Sequence, residues 1–230
     1  MRIVLTHIPR TGGTSLFRAL RDQVPEANAI EFQYMGQVAT ISDKELNRYE
    51  IISTYIGSRI FDRLDGSWTK IVILRDPITR LKSSYWNLRN NSECISFATP
   101  FAKSRSFAAY LASREQPVIV QATNVQVWSV LGEKGICFRR KHAHLGDNEI
   151  CKLSLDRLAT YDFVGFTEHL DELWRRVCEY LRWPVTQLPR LRRSSVPYPG
   201  EEAAPEDVSF HTSLDCELVR RALIVHGTEG

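Results

Sequence analysis

Residues suited to binding an anion are concentrated in one short segment near the start of the chain. It contains two adjacent glycines, with a cation before them and two hydroxyl side chains after them. Glycines let backbone N–H groups approach an anion closely, and a helix that begins there directs its positive end at the same point. We therefore predict a phosphate- or sulfate-binding loop; the alternative is a tight strand-to-helix turn without a ligand. The residues concerned are His7, Arg10, Thr11, Gly12, Gly13, Thr14 and Ser15.

This loop differs from the P-loop of nucleoside triphosphatases. That loop requires Lys directly after its last glycine, but Thr14 follows Gly13 here. The cation comes earlier, at Arg10, before the glycines. A cation at that point would lie beside a 5'-phosphosulfate rather than beneath a β- or γ-phosphate, so the pattern favours a sulfate donor.

A strand and a helix are expected to position the loop. The β-branched apolar run at residues 3–7, ended by Pro9, is typical of a central parallel strand. Leu16, Phe17 and Leu20 then recur at helical spacing. A strand, a glycine-rich turn and a helix in this order open a doubly wound α/β unit.

A second candidate anchor follows a strand predicted at residues 70–75. Arg75 lies at its carboxyl end, where open α/β sheets bind ligands. Ser83 comes about two helical turns later, so both side chains can reach one phosphate. Two alternatives stay open: Arg75 and Asp76 could form an ion pair that caps the helix, and Arg80 either supports the site or is a solvated helix residue.

Shorter patterns complete the fold prediction: a three-layer α/β domain in which helices cover both faces of a central, mostly parallel sheet. We expect a single domain over residues 1–230. The remaining predicted strands are residues 29–32, 51–56 and 162–166, the helices are 107–113, 118–131, 154–160, 168–181 and 214–225, and residues 184–205 are a loop.

The composition is that of an ordinary globular protein, with 43% hydrophobic and 25% charged residues. The net charge of +3 argues against a dedicated nucleic-acid binder. Five scattered cysteines without a CxxC pair are typical of reduced thiols in a cytoplasmic protein. Without a signal peptide or a long apolar run, we expect a soluble cytoplasmic protein with no stable membrane insertion. A catalytic domain cut from a membrane-anchored parent would have the same features.

The loop and the second anchor resemble motifs of the sulfotransferases that use 3'-phosphoadenosine-5'-phosphosulfate (PAPS). Residues 7–16 are similar to the 5'-phosphosulfate loop of the carbohydrate branch, the heparan sulfate 2-O-sulfotransferase-like enzymes, with Arg10 where that loop has Lys. Residues 75–85 resemble the 3'-phosphate motif RDPxxRxxSxY. Segments 124–132 and 161–168 extend the resemblance, with Thr167 or Glu168 expected to cap a helix. It implies a P-loop-like sulfotransferase fold, PAPS as donor and 3'-phosphoadenosine-5'-phosphate (PAP) as product.

The resemblance implies metal-free, in-line sulfuryl transfer, with Arg10 and the loop N–H groups stabilising charge on the leaving oxygen. A general base should take the acceptor's proton. The 2-O-like relatives use a histidine in a segment like GHxPF, but residues 57–61 read Gly-Ser-Arg-Ile-Phe. Other branches use a glutamate on the second strand, which favours Glu31; otherwise Glu31 is a surface charge. His7 is the next candidate, or it braces the loop.

Two basic segments are candidates for contacts with the substrates. Residues 137–144 include Arg139, Arg140 and Lys141, which would attract an anionic or polyhydroxyl acceptor; a zinc site with Cys151 fits no common ligand spacing. Residues 190–195 lie where relatives close over the donor, or form a solvated loop. The expected partner is a small-molecule or oligosaccharide acceptor.

Two other functions remain open from the residues. A P-loop kinase or NTPase would share the strand, loop and helix but lacks its Lys. A non-catalytic PAPS- or PAP-binding protein on the same scaffold would explain Arg10 and the missing histidine.

Overall fold

The computed structural model describes residues 1–91, 96–132, 144–189, 191 and 202–226. Five parallel strands form one sheet in the order β2-β3-β1-β4-β5. Because these short strands are rich in β-branched and aromatic residues, they suit a sheet covered on both faces. The strands are β1 (Ile3–Thr6), β2 (Ala29–Phe32), β3 (Ile51–Thr54), β4 (Thr69–Leu74) and β5 (Phe163–Phe166).

Helices lie between successive strands, and further helices follow the last strand. Among the described residues, three short 3-10 helices link some of the strands: Glu26–Asn28, Gly57–Arg63 and Thr167–His169. The α-helices in the described ranges are α1 (Gly13–Arg21), α2 (Met35–Thr40), α3 (Asp43–Leu46), α4 (Pro77–Asn90), α5 (Thr99–Ser104), α6 (Phe107–Ala112), α7 (Gln116–Ala122), α8 (Val125–Val130), α9 (Asp147–Leu158), α10 (Leu170–Leu181) and α11 (Pro205–His226).

Alternating side chains of the strands divide the core between the two faces of the sheet. Ile3 and Leu5 of β1 pack with α1 and α10 on one face. Val72 and Leu74 of β4 pack with α8, α9 and α11 on the other. The prediction of a largely parallel sheet with helices on both faces is therefore confirmed.

The strand order creates a crevice between β1 and β4. The chain leaves β1 toward β2 and β3 on one side of the sheet, and leaves β4 toward β5 on the other. The two connections diverge from neighbouring strands, and such a switch point is where open α/β sheets bind ligands. Both predicted anchors, the loop after β1 and Arg75 after β4, lie at this place.

Several predicted boundaries differ from the observed ones. The helix predicted at residues 118–131 is two helices, α7 and α8, because Asn124 has a left-handed backbone (φ 47°) and its N–H donates to the carbonyl of His211. The final helix begins at Pro205 rather than at residue 214, with Pro and acidic residues in its first turn. The helix predicted from residue 154 begins at Asp147.

No helix within the described ranges is both long enough and apolar enough to span a bilayer.

Candidate functional site

The loop after β1 turns sharply into the first turn of α1. Gly12 has φ 91°, a left-handed conformation that glycine adopts without strain, and its carbonyl accepts from the N–H groups of Ser15 (3.0 Å) and Leu16 (3.3 Å). The hydroxyl of Thr11 donates to the carbonyl of Ile8 at 2.9 Å. These bonds fix the loop so that residues 11–15 surround the positive end of α1, as an anion site requires.

Gly13 is required because a side chain at this position would clash with its neighbour, and not because of its backbone conformation. A Cβ added to Gly13 would lie 2.3 Å from Cδ2 and 2.6 Å from Nε2 of His7. The imidazole therefore lies directly against the loop, which makes His7 part of the loop's packing. This contact could not be predicted from the sequence, because the turn brings His7 and Gly13 together and their spacing is not that of neighbours on one face of a helix or strand.

His7 and Glu31 form one partly buried polar cluster with Ser53. Nδ1 of His7 lies 3.1 Å from Oε1 of Glu31, and the hydroxyl of Ser53 donates to the same oxygen at 3.2 Å. The parallel register of β2 with β3 places Glu31 beside Ser53. Tyr55 stacks on the imidazole with ring centroids 4.0 Å apart. The structure thus joins the two residues that the sequence analysis offered as alternative bases.

The environment of Glu31 favours its ionised form. Partial burial raises the pKa of this carboxyl, but the hydrogen bond and charge of His7 and the hydroxyl of Ser53 outweigh that effect, so the pKa lies below its ordinary value. The Glu31 side chain keeps 23% of its surface exposed, whereas that of His7 keeps 2%. Glu31 is therefore an ionised carboxylate that solvent can still reach, not a free surface charge.

Arg75 reaches across the crevice from β4 to the loop. Its Nη1 donates to the carbonyl of Arg10 at 2.9 Å. Its Nε is buried and meets no hydrogen-bond partner among the described residues. The helix cap proposed as an alternative is formed by Asp76 alone, whose Oδ1 accepts from the N–H of Thr79 at 2.7 Å. Nη1 of Arg75 is thus held by the loop carbonyl, while its buried Nε has no partner among the described residues.

Arg10 brings the predicted 5' and 3' contacts together. Its backbone has φ 73°, unusual for a residue with a Cβ. Its Nε donates to the hydroxyl of Ser83 at 2.9 Å and its Nη1 to Oδ1 of Asn87 at 3.2 Å. Because Arg75 holds the Arg10 carbonyl, three of the residues predicted to bind the donor's charged groups (Arg10, Arg75 and Ser83) lie in one contiguous network.

Arg80 is fully buried in the structure, so the alternative of a solvated helix residue is wrong. Its Nη2 donates to the carbonyl of Ala122 at 3.3 Å, and its Nε and Nη1 lack hydrogen-bond partners among the described residues. Complete burial lowers the pKa of this guanidinium, while Asp215 acts in the opposite direction. The described contacts of Arg80 lie in the helical layer.

Thr167 has a different role from the helix cap predicted for it. Its hydroxyl contacts two carbonyls, that of Thr11 at 2.7 Å and that of Leu74 at 3.2 Å. It therefore ties the loop after β1 to the last residue of β4. A residue after β5 can do this because β5 lies beside β4 in the sheet.

Two predicted substrate-contact segments fall mostly outside the described residues. Residues 133–143, with Arg139, Arg140 and Lys141, are among them, and so is most of 190–195. Leu191 is described, and its N–H donates to the hydroxyl of Ser15 at 3.2 Å. Among the described residues no group of three His, Cys, Asp or Glu side chains could hold a metal ion.

Sequence reasoning gave no role to Gln126, which contacts Arg75 in the structure. Its buried side chain pairs with both backbone groups of Arg75: Oε1 accepts from the Arg75 N–H and Nε2 donates to the Arg75 carbonyl, each at 2.9 Å. The available signal was the Asn124-Val125-Gln126 segment, noted as similar to a family motif but given no role.

The parallel sheet and the glycine-rich loop at its switch point define an α/β protein with a candidate anion-binding site at the carboxyl ends of β1 and β4. The sulfotransferase family model matches residues 1–223, nearly the whole chain. The protein therefore belongs to the sulfotransferase family, whose enzymes transfer sulfuryl groups. No curated protein matches the chain.

Proposed function

We propose that this sulfotransferase takes its sulfuryl group from PAPS and transfers it to a hydroxyl group of a saccharide. The observation that carries the donor assignment is the Nε of Arg75, buried and without a partner among the described residues. Leaving such a donor unsatisfied is costly, and a bound anion removes the cost. Arg75 lies at a strand end beside a glycine-rich loop, where a nucleotide phosphate fits.

The residues around the crevice fit the two charged ends of this donor. Residues 11–15 offer backbone N–H groups and hydroxyls at the N-terminus of α1, suited to the 5'-phosphosulfate. Arg75 and Ser83 are suited to the 3'-phosphate. Arg10 lies between them, with its side chain on Ser83 and its carbonyl on Arg75. When bound, the donor supplies an activated sulfuryl group whose leaving group is PAP.

Glu31 is the proposed general base. Its partly exposed carboxylate can accept the proton of an acceptor hydroxyl. The acceptor oxygen forms its bond to sulfur as the bond from sulfur to the bridging oxygen breaks. Arg10 and the loop N–H groups stabilise the charge left on that oxygen. His7 orients the carboxylate through Nδ1.

The family match supports sulfuryl transfer over the kinase or NTPase interpretation. The saccharide acceptor rests on the resemblance of the loop to the heparan sulfate 2-O branch. Residues 57–61 keep no histidine, and their Gly57 packs against the backbone of Ser129. We therefore propose Glu31 of β2 as the base, rather than a residue of that segment.

Calorimetric titration tests the donor site. We expect PAP to bind without metal, and Arg75→Ala to weaken binding at least tenfold because a desolvated charge-assisted hydrogen bond is lost, about 1.5–3 kcal/mol. Arg175→Ala is the matched control, since it removes an exposed arginine paired with Glu179 on α10. Preference for Mg·ATP over PAP, or equal affinity in Arg75→Ala, would overturn the donor assignment.

A transfer assay tests the acceptor and the base. Radiolabelled PAPS is incubated with desulfated heparin and chondroitin, and label in the polymer is measured. We expect Glu31→Gln to reduce kcat by about 10²–10⁴-fold while PAP affinity stays unchanged. Transfer to neither polymer overturns the saccharide acceptor, and full activity in Glu31→Gln overturns the base assignment.

A further inference from the structure

Gln126 acts as a substitute strand partner at the end of β4. β1 ends at Thr6, opposite Val72, so it does not extend to the level of Arg75. The Gln126 amide instead supplies both an acceptor and a donor to the Arg75 backbone, each at 2.9 Å. A primary amide is well suited to this role, because its O and NH₂ reproduce the acceptor and donor of a neighbouring strand.

The backbone that carries the Gln126 side chain is held by a helix far away in sequence. The buried carboxylate of Asp215 in α11 accepts from the N–H of Gln126 at 3.2 Å and from that of Val127 at 2.9 Å. In return, Oδ1 of Asn124 accepts from the N–H groups of Leu214 (3.1 Å) and Asp215 (3.2 Å). These reciprocal bonds fix the start of α8, and with it the Gln126 side chain, relative to the sheet.

The orientation of the Arg75 guanidinium depends on this backbone contact. Nη1 contacts the Arg10 carbonyl, and Nε is buried without a partner among the described residues. Side-chain donors are positioned precisely only when the backbone that carries them is fixed. Beyond the end of β4 at Leu74, the two bonds to Gln126 hold the Arg75 peptide groups.

We infer that Gln126 is a positioning residue for Arg75 and sets the selectivity of the site for a nucleotide with a 3'-phosphate. The inference rests on the proposed donor site. It gives the Asn124-Val125-Gln126 segment a function at the crevice. Asp215 fixes the position of Gln126, and Gln126 in turn fixes the position of Arg75.

The test compares PAP with adenosine 5'-phosphate, which lacks the 3'-phosphate. Gln126→Met keeps the side-chain volume and removes both bonds to Arg75. We expect its selectivity, the ratio of the two dissociation constants, to fall at least tenfold, while affinity for adenosine 5'-phosphate changes less than twofold. In an Arg75→Ala background, Gln126→Met should leave the ratio unchanged, since the residue it positions is gone.

Val130→Ala is the matched control, because it removes buried packing from the same helix and leaves the two Gln126 bonds to Arg75 in place. We expect it to lower stability and leave the ratio intact. If Gln126→Met does not fold, Gln126→Glu keeps the acceptor for the Arg75 N–H and loses the donor to the Arg75 carbonyl. The effect of Gln126→Glu on the ratio of dissociation constants should then be smaller in the Arg75→Ala background. If the new negative charge simply repelled the 3'-phosphate, the effect would be the same in that background.

The outcomes separate this inference from the proposed donor. A wild-type protein that binds both nucleotides equally overturns the donor assignment. A wild-type preference for PAP that survives in Gln126→Met, or an equal loss of affinity for both nucleotides, overturns the positioning role alone.

Discussion

Replacing Gly13 by alanine should destabilise this protein, although alanine is the better helix former by about 1 kcal/mol. The new Cβ would lie 2.3 Å from Cδ2 of His7, so the imidazole must move. Movement breaks its bond to Glu31, worth about 1.5–3 kcal/mol for a charged partner. It also disturbs the stacking on Tyr55, about 0.5–1.5 kcal/mol. The net expected loss is about 1–3.5 kcal/mol in the free energy of unfolding.

Urea unfolding followed by tryptophan fluorescence measures this loss, since the chain has five tryptophans. In a His7→Ala background the clash is absent, so Gly13→Ala should be neutral or stabilising there. Gly36→Ala is the matched control: Gly36 lies in α2, and a Cβ there has ordinary contacts with Tyr34 at 3.6 Å or more. A loss that persists unchanged without His7, or no loss at all, would refute the argument that Gly13 makes room for the imidazole.

Two further predictions concern the polar contacts around the site. Glu31→Gln should lower stability by about 1 kcal/mol at neutral pH, because the bonds from His7 and Ser53 then meet a neutral acceptor. Since the folded pKa of Glu31 lies below 4.5, the wild-type advantage is full above that pH and declines as the pH falls through the folded pKa; a difference constant between pH 7 and pH 3 would contradict this. Asn124→Ala should cost about 1.5–4 kcal/mol in thermal or urea unfolding, through left-handed strain and the loss of the acceptor for the N–H groups of Leu214 and Asp215 within α11. Asn124→Gly should cost about 1 kcal/mol less, because glycine removes the strain; equal losses in the two variants would exclude strain.

Local patterns were sufficient to predict the architecture around the site. The apolar runs of β1 and β4 and the glycine-rich turn indicated a parallel α/β sheet, and β2 was predicted with its observed limits, Ala29–Phe32. These features are readable because periodicity and turn chemistry act over a few residues. Helix limits were less accurate: α7 and α8 are separated at Asn124, whose partners lie in α11, so no local signal marks the break.

The sequence by itself determined which residues could bind an anion and in which order the elements occur. The tertiary structure alone decided how those residues meet. Glu31 and His7 were separate candidates in the sequence, yet the parallel register of β2 with β3 and the burial of the loop make them one hydrogen-bonded pair. Gln126 lies 51 residues from Arg75 in sequence and still completes its hydrogen bonding. Such contacts follow from the strand order and from the packing of α11 against α8, and neither is encoded in the spacing of neighbouring residues.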